Sequence, residues 1–113
     1  MQQVNVLEKK EFKGDAVNKV TYLKTDQIVQ DTYYFKPGQV LAYHRHPDGD
    51  QVFFAHEGEG TYFEDDGGGK EVSAALKAGE VVVAGKGVWH KIIAKTNLVV
   101  SQATRQPAGM EKR

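Results

Sequence analysis

The chain has 113 residues, with 15 Lys plus Arg balancing 15 Asp plus Glu. That is the length of one domain, here residues 1–113, and zero net charge provides none of the basic surface that nucleic-acid binding uses. No purely apolar run exceeds four residues, far below the roughly 20 of a membrane span, so neither nucleic acid nor membrane is an expected partner. The opening residues Met1-Gln2-Gln3-Val4-Asn5-Val6 hold no apolar leader core, which makes the cytoplasm the expected location. Val, Leu, Ile and Phe supply 27 of the 113 residues, above the roughly one-fifth below which chains stay unfolded.

Val outnumbers Leu by 14 to 5, a β-branched bias that points to sheet. In chain order, strands are expected at 17–23, 28–35, 40–44, 51–56, 61–64, 71–76, 80–84, 88–94 and 98–104. The punctuation between them is Lys36-Pro37-Gly38, Pro47-Asp48-Gly49, Glu57-Gly58-Glu59-Gly60, Asp65-Asp66-Gly67-Gly68-Gly69, Lys77-Ala78-Gly79, Gly85-Lys86-Gly87 and Thr96-Asn97. Turn signals at such short intervals belong to an all-β barrel or sandwich. Period-2 alternation is weak at 40–44, and 28–35 mixes both faces, as a strand between two layers does. Asp65 to Gly69 reads as a solvated hairpin tip, because EF-hand spacing is absent. The tail 106–113 carries no apolar pattern and is expected to be mobile unless a partner holds it.

With no cysteine in the chain, disulfides, thiolate metal sites and cysteine nucleophiles are excluded. Any metal must bind through His, carboxylate or amide oxygen. His44 and His46 stand two apart next to a strand, so both imidazoles can reach one point. His90 follows Gly85-Lys86-Gly87 and can supply a third donor. His56 differs in parity from Gln51 and Phe53 and reads as a packed or surface residue. Phe53 shares the parity of Gln51, which makes it the candidate apolar wall of a cavity. Arg45, between the two histidines, should face away from them. Lys36, Lys86 and Lys91 are candidates to attract an acidic ligand, although scattered lysines are usually solvated. Neither Ser73 nor Ser101 sits in a nucleophile elbow, which argues against a serine hydrolase.

The wider spacing resembles a known family. Gly38, His44, His46, Gln51 and Gly58 fit the first cupin motif, G-x5-H-x-H-x4-E-x6-G, over residues 38–58, with Gln51 at the Glu position. Gly79, Gly87 and His90 fit the second, G-x5-P-x-G-x2-H-x3-N, over 79–94, with Gly85 and Ala94 replacing Pro and Asn. The chain thus resembles a small single-domain cupin. The resemblance implies an all-β, cupin-type jelly-roll barrel of about nine or ten strands, open at one end with a metal inside. It also implies that His44, His46, His90 and Gln51 match the family's ligands. Gly38, Gly58, Gly79 and Gly87 are expected to take positive φ in tight turns rather than to bind phosphate.

An amide at position 51 contributes only a dipole, so a divalent ion would keep a local charge of about +2 rather than +1. Weaker binding of hard cations and a more Lewis-acidic centre are expected, with Gln51 either ligating or holding a metal-bound water. The expected cofactor is one divalent transition metal, with iron, manganese, nickel, copper and zinc all open. The expected function is a metal-dependent enzyme, dioxygenase-like, acting on a small polar molecule. The alternatives are a non-catalytic binding or sensor cupin, a sugar or keto-acid isomerase, and a metal-free barrel with relic histidines. No carboxylate is well placed as a proton shuttle, which favours the oxygenase. A homodimer is expected, formed through Tyr33-Tyr34-Phe35 and residues 4–7.

Overall fold

Ten strands occur among the described residues, 1–107 and 109–113, of the computed structural model. They are β1 (Asn18–Lys24), β2 (Ile28–Phe35), β3 (Val40–Arg45), β4 (Gln51–Glu57), β5 (Glu59–Asp65), β6 (Glu71–Lys77), β7 (Val81–Ala84), β8 (Trp89–Ala94), β9 (Leu98–Arg105) and β10 (Glu111–Lys112). Two five-stranded antiparallel sheets result, ordered β1-β2-β9-β4-β7 and β10-β3-β8-β5-β6. This is the two-sheet, all-β jelly-roll that the cupin resemblance implies. No helix among the described residues is long and apolar enough to cross a membrane.

Nine strands match the expected ones to within a few residues, and the tenth lies in the tail. Glu111 and Lys112 pair with Arg45 and His44, so β3 holds the tail's end. Ala108 and Met110 alone offered no apolar pattern to read. Ala108, in that same tail, lies outside the described residues.

The expected turn glycines take positive φ: 83° at Gly38, 86° at Gly58, 90° at Gly79 and 76° at Gly87. Two of them also tie the ends of the β3–β8 pair. Gly38 N–H donates to the Ala94 carbonyl at 2.8 Å, and Gly87 N–H to the His46 carbonyl at 3.0 Å. The Asp65–Gly69 tip is a side-chain-braced turn: the Asp65 carboxylate accepts from the Gly67 and Gly69 amides, and Asp66 from those of Gly68 and Lys70.

The core fills the barrel with Tyr33, Phe35, Phe53, Tyr62, Leu76, Ile92, Leu98 and Val100. The dimer surface expected from Tyr33-Tyr34-Phe35 is therefore corrected, since all three side chains are buried within the chain. Tyr33 and Phe35 belong to the interior cluster. On the other side of β2, Tyr34 packs edge-on against Phe12, with ring centroids 5.8 Å apart. Its hydroxyl donates to the Val6 carbonyl at 2.9 Å and lies 2.9 Å from that of Tyr22. The N-terminal arm thus covers the outer face of β2, and a strand buried on both faces loses its period-2 signature.

Gly58 tests how far this packing depends on a missing side chain. A Cβ at Gly58 would lie 1.8 Å from the Asn97 carbonyl oxygen, whereas one at Gly79 meets nothing within 4 Å. Gly58→Ala is expected to destabilise by more than about 3 kcal/mol. Gly79→Ala should cost only the left-handed penalty of about 1–2 kcal/mol. Urea unfolding of both variants checks the difference.

Candidate metal centre

Each inward-facing stripe turns polar towards the same end of the barrel. On β4, Gln51 follows Phe53 and Ala55 on the buried face. On β8, His90 shares its face with Ile92 and Ala94. In β3, a register shift between Leu41 and His44 sets His44 directly opposite His90. His46 lies just beyond β3, its backbone held by the Gly87 amide. The imidazoles of His44, His46 and His90 converge, with ligand atoms within 4.8 Å of one another, and this cluster could coordinate a metal ion.

The hydrogen bonds define which nitrogens face inward. Nδ1 of His44 lies 2.9 Å from the Ala42 carbonyl, Nδ1 of His90 2.9 Å from the Val88 carbonyl, and Nδ1 of His46 2.8 Å from the Gly109 carbonyl. Because a carbonyl only accepts, each Nδ1 carries the proton, and each neutral ring keeps a bare Nε2 for the site. Two of these Nε2 atoms lack a satisfactory protein partner. His46 Nε2 is buried with no hydrogen-bond partner. His90 Nε2 stands 2.8 Å from Gln51 Oε1, acceptor facing acceptor.

Protonation does not relieve that contact at neutral pH. Burial, with the charge of His44 adding to it, pushes the His90 pKa down to about 4. Burial likewise lowers that of His44. A cation relieves both, since two donors each about 2.1 Å from one ion and at right angles stand about 3 Å apart. The residues present therefore fit a divalent metal held by His44, His46 and His90, with Gln51 Oε1 beside them.

The cluster opens into a cavity of about 330 Å³. Tyr33, Val29 and Met110 form its apolar wall, and Asp31, Gln102, Thr104 and Lys19 its polar one. Phe53, the expected wall, is not among the lining residues. It is fully buried one layer deeper, edge-on to His90 with centroids 5.5 Å apart, and Tyr62 packs beside both. His56 lies apart from the cluster, with Nε2 2.8 Å from the Ser101 hydroxyl. Arg45 faces away as expected, over the Trp89 ring at 4.5 Å. Lys91 is engaged outside the barrel with Glu71 and the rings of Tyr43 and Phe63.

Asp31, Gln102 and the tail were not singled out by the sequence reading. Gln102 carried a usable signal, because with Thr104 it ends the apolar inward stripe of β9, whereas the mixed-face pattern of 28–35 hid the parity of Asp31. Asp31 shares its face with Tyr33 and Phe35, and Gln102 with Leu98 and Val100.

The chain belongs to the cupin family: the family model described as a cupin domain matches residues 32–101. Solved structures agree on the fold. A conserved protein with a double-stranded β-helix domain from Klebsiella pneumoniae superposes with a TM-score of 0.86 at 21% identity, covering 98% of this chain and 96% of that one. An RmlC-like cupin protein from Desulfovibrio desulfuricans gives 0.81 at 26% identity, over 93% and 96%. An oxalate oxidase gives 0.70 at 23% identity over 86% of this chain and 54% of the larger protein, a likeness of fold alone. No curated protein matches the chain in sequence.

Burial of the histidines makes stability pH-dependent in the metal-free protein. The unfolded chain protonates His90 near its ordinary value of 6.5, the folded chain only near 4. The unfolded state therefore binds more protons in that window, and the folded state is weakened as pH falls through it. His44 contributes with the same sign. Chelator-treated protein is expected to lose on the order of 3 kcal/mol of His90-linked stability between pH 7 and pH 4. Urea unfolding across that range checks it, and His90→Asn should flatten the profile.

Proposed function

We propose that this protein is a metal-dependent enzyme, dioxygenase-like in reaction class, acting on a small polar molecule bound at the open end of the barrel. The observation that carries this reading is the pair of unsatisfied Nε2 lone pairs, on His46 and His90, at the base of a partly polar cavity. Leaving buried acceptors unmatched costs about 1–3 kcal/mol each, a cost that a cation offsets. A divalent transition ion held there would supply Lewis acidity and open positions for a chelating molecule.

The chain's own residues do the rest. His44, His46 and His90 donate nitrogen, and Gln51, standing where the cupin motif usually has Glu, offers a neutral oxygen. The centre then keeps its positive charge and favours an anionic or enolisable ligand. Tyr33 and Met110 enclose such a ligand, while the Lys19 ammonium lies on the cavity lining. Burial, with the nearby Asp31 charge, raises the Tyr33 phenol pKa and keeps its hydroxyl proton in place for donation.

Proton-shuttling isomerase chemistry receives less support. The one carboxylate on the cavity, Asp31, already accepts from Gln102 and Thr21 and is ion-paired with Lys19 at 3.8 Å. Glu57 and Glu59 are engaged with Lys10 and Lys95, and Glu64 accepts from the Tyr62 hydroxyl.

A homodimer is part of this reading. It is supported by Phe54 on β4 and Val81 and Val83 on the edge strand β7, exposed on one face. A monomer by light scattering at micromolar concentration would overturn it.

Elemental analysis of the purified protein tests the metal reading, beside a His44→Ala, His90→Ala variant and after reloading with iron(II), manganese, nickel, copper or zinc. Near-stoichiometric metal in the parent and its loss in the variant are expected. Oxygen uptake by the iron(II) form with diketones, flavonols, thiols or keto sugars then separates the enzyme from a binding protein. Tight binding of such molecules without turnover would favour the latter.

A further inference from the structure

The cavity wall contains a chain of buried hydrogen bonds that begins on a charge and ends on Gln51, beside the histidines. Asp31 on β2 is a carboxylate, which accepts hydrogen bonds and donates none. Its Oδ2 accepts from Gln102 Nε2 at 2.8 Å. That contact turns the Gln102 carbonyl oxygen the other way, where it accepts from the Thr104 hydroxyl and, at 2.9 Å, from Gln51 Nε2. With its amino group so engaged, Gln51 presents Oε1 towards His90. Both glutamines are only 2% exposed, so bulk water does not compete for either amide. Turning the two amides over would set the Gln102 oxygen against the Asp31 carboxylate.

We propose that Asp31, acting through Gln102, is the positioning residue that fixes Gln51 as an oxygen donor to the metal centre. This rests on the reading of the histidine cluster as a metal site. The relay also accounts for an amide at position 51. A carboxylate there has no proton for Gln102 Oε1 and would face it acceptor to acceptor. The negative charge missing from Gln51 is present instead at Asp31, two hydrogen bonds away. Lys19 Nζ stands 3.8 Å from the same Oδ2, and the Thr21 hydroxyl donates to Oδ1.

The polarity argument gives a signature that simple charge attraction does not. In Asp31→Asn, residue 31 no longer dictates which way Gln102 points, and Gln51 loses its enforced orientation. In Gln51→Glu, an oxygen faces the metal whichever way the side chain lies. Adding Asp31→Asn to that variant lets Gln102 turn its amino group towards Glu.

The test is cobalt(II) affinity by chelator competition, with the visible cobalt spectrum as a second readout, for the parent, Asp31→Asn, Gln51→Glu and the double variant. Asp31→Asn is expected to weaken binding about 10- to 100-fold in the Gln51 background, the usual range for an outer partner of a ligand. It should also alter the spectrum. In the Gln51→Glu background the same change should leave affinity unchanged or tighten it. Equal weakening in both backgrounds would reduce Asp31 to a distant charge and overturn the proposal, as would a change below twofold in the parent background. Gln102→Met interrupts the same relay without touching Asp31. If Asp31→Asn does not fold, this variant must show the same loss, and parent-like affinity in it overturns the proposal. Cobalt binding no tighter in the parent than in the His44→Ala, His90→Ala variant would instead remove the metal-site reading itself, a result recognisable before any relay variant is compared.

Discussion

The pairing of His44 with His90 across β3 and β8 is the constraint on which the site depends. A one-residue slip would send every side chain of one strand to the opposite face. The interruption between Leu41 and His44 absorbs the irregularity on the open-end side, so that Leu41 still pairs with Ile92 in the core while the imidazoles meet at the rim. The opposite sheet is pinned independently. Gln51 pairs with Thr104 and Phe53 with Gln102, and these partners bring the amide to the histidines from the other side.

This arrangement divides one interior into two chemically different halves. Phe35, Phe53, Leu76, Ile92, Leu98 and Val100 form an apolar base, while Asp31, Gln51, Gln102, Thr104 and the histidines gather at the other end of the same stripes. The base supplies the burial that drives folding. Polar groups above it are tolerable only because nearly every one has a partner: carboxylate to amide, amide to amide, imidazole to backbone carbonyl. Within this polar end the accounting fails at His46 Nε2 and between His90 and Gln51, which fall together at a single point, while the other unpartnered buried atom, Gln30 Oε1, belongs to an amide held by Thr32 and Ser101. Polar mismatches scattered over the barrel would speak of poor packing; three convergent lone pairs speak of an ion.

Nine strands and the three histidines were legible because their signals are local. Glycines that need positive φ mark the turns, and the i, i+2 spacing of His44 and His46 places two donors together before any tertiary structure is known. What was not legible depends on long separations. Gln51 and Gln102 lie 51 residues apart, and Gln102 and Asp31 71 apart. Nothing near Asp31 announces its partner. Its mixed-face strand concealed even its parity, because the arm carrying Val6 and Phe12 buries the outer face as well. Phe53 shows the converse error. Parity correctly turned it inward, but parity carries no depth, and one step along the stripe separates the cavity wall from the core.

The tail completes the site for a reason that follows from chain geometry. His46 is the one imidazole beyond the end of its strand, so its Nδ1 partner is not the carbonyl two residues back, as for His44 and His90, but that of Gly109. Gly109 is in turn followed by a segment clamped to the outside of the barrel. There Arg113 meets Asp65 at 2.5 Å and stacks over Tyr43, while Arg45 meets Glu111 at 2.8 Å. The Gly67 amide, followed by the Arg113 guanidinium and then the Gly69 amide, holds the Asp65 carboxyl below its ordinary range and keeps it anionic for that clamp. Met110 then lies against the cavity between these two anchors. The orientation of one nitrogen donor and one wall of the cavity therefore rest on surface contacts rather than on the core, which makes His46 the donor most free to adjust when an ion or a ligand enters.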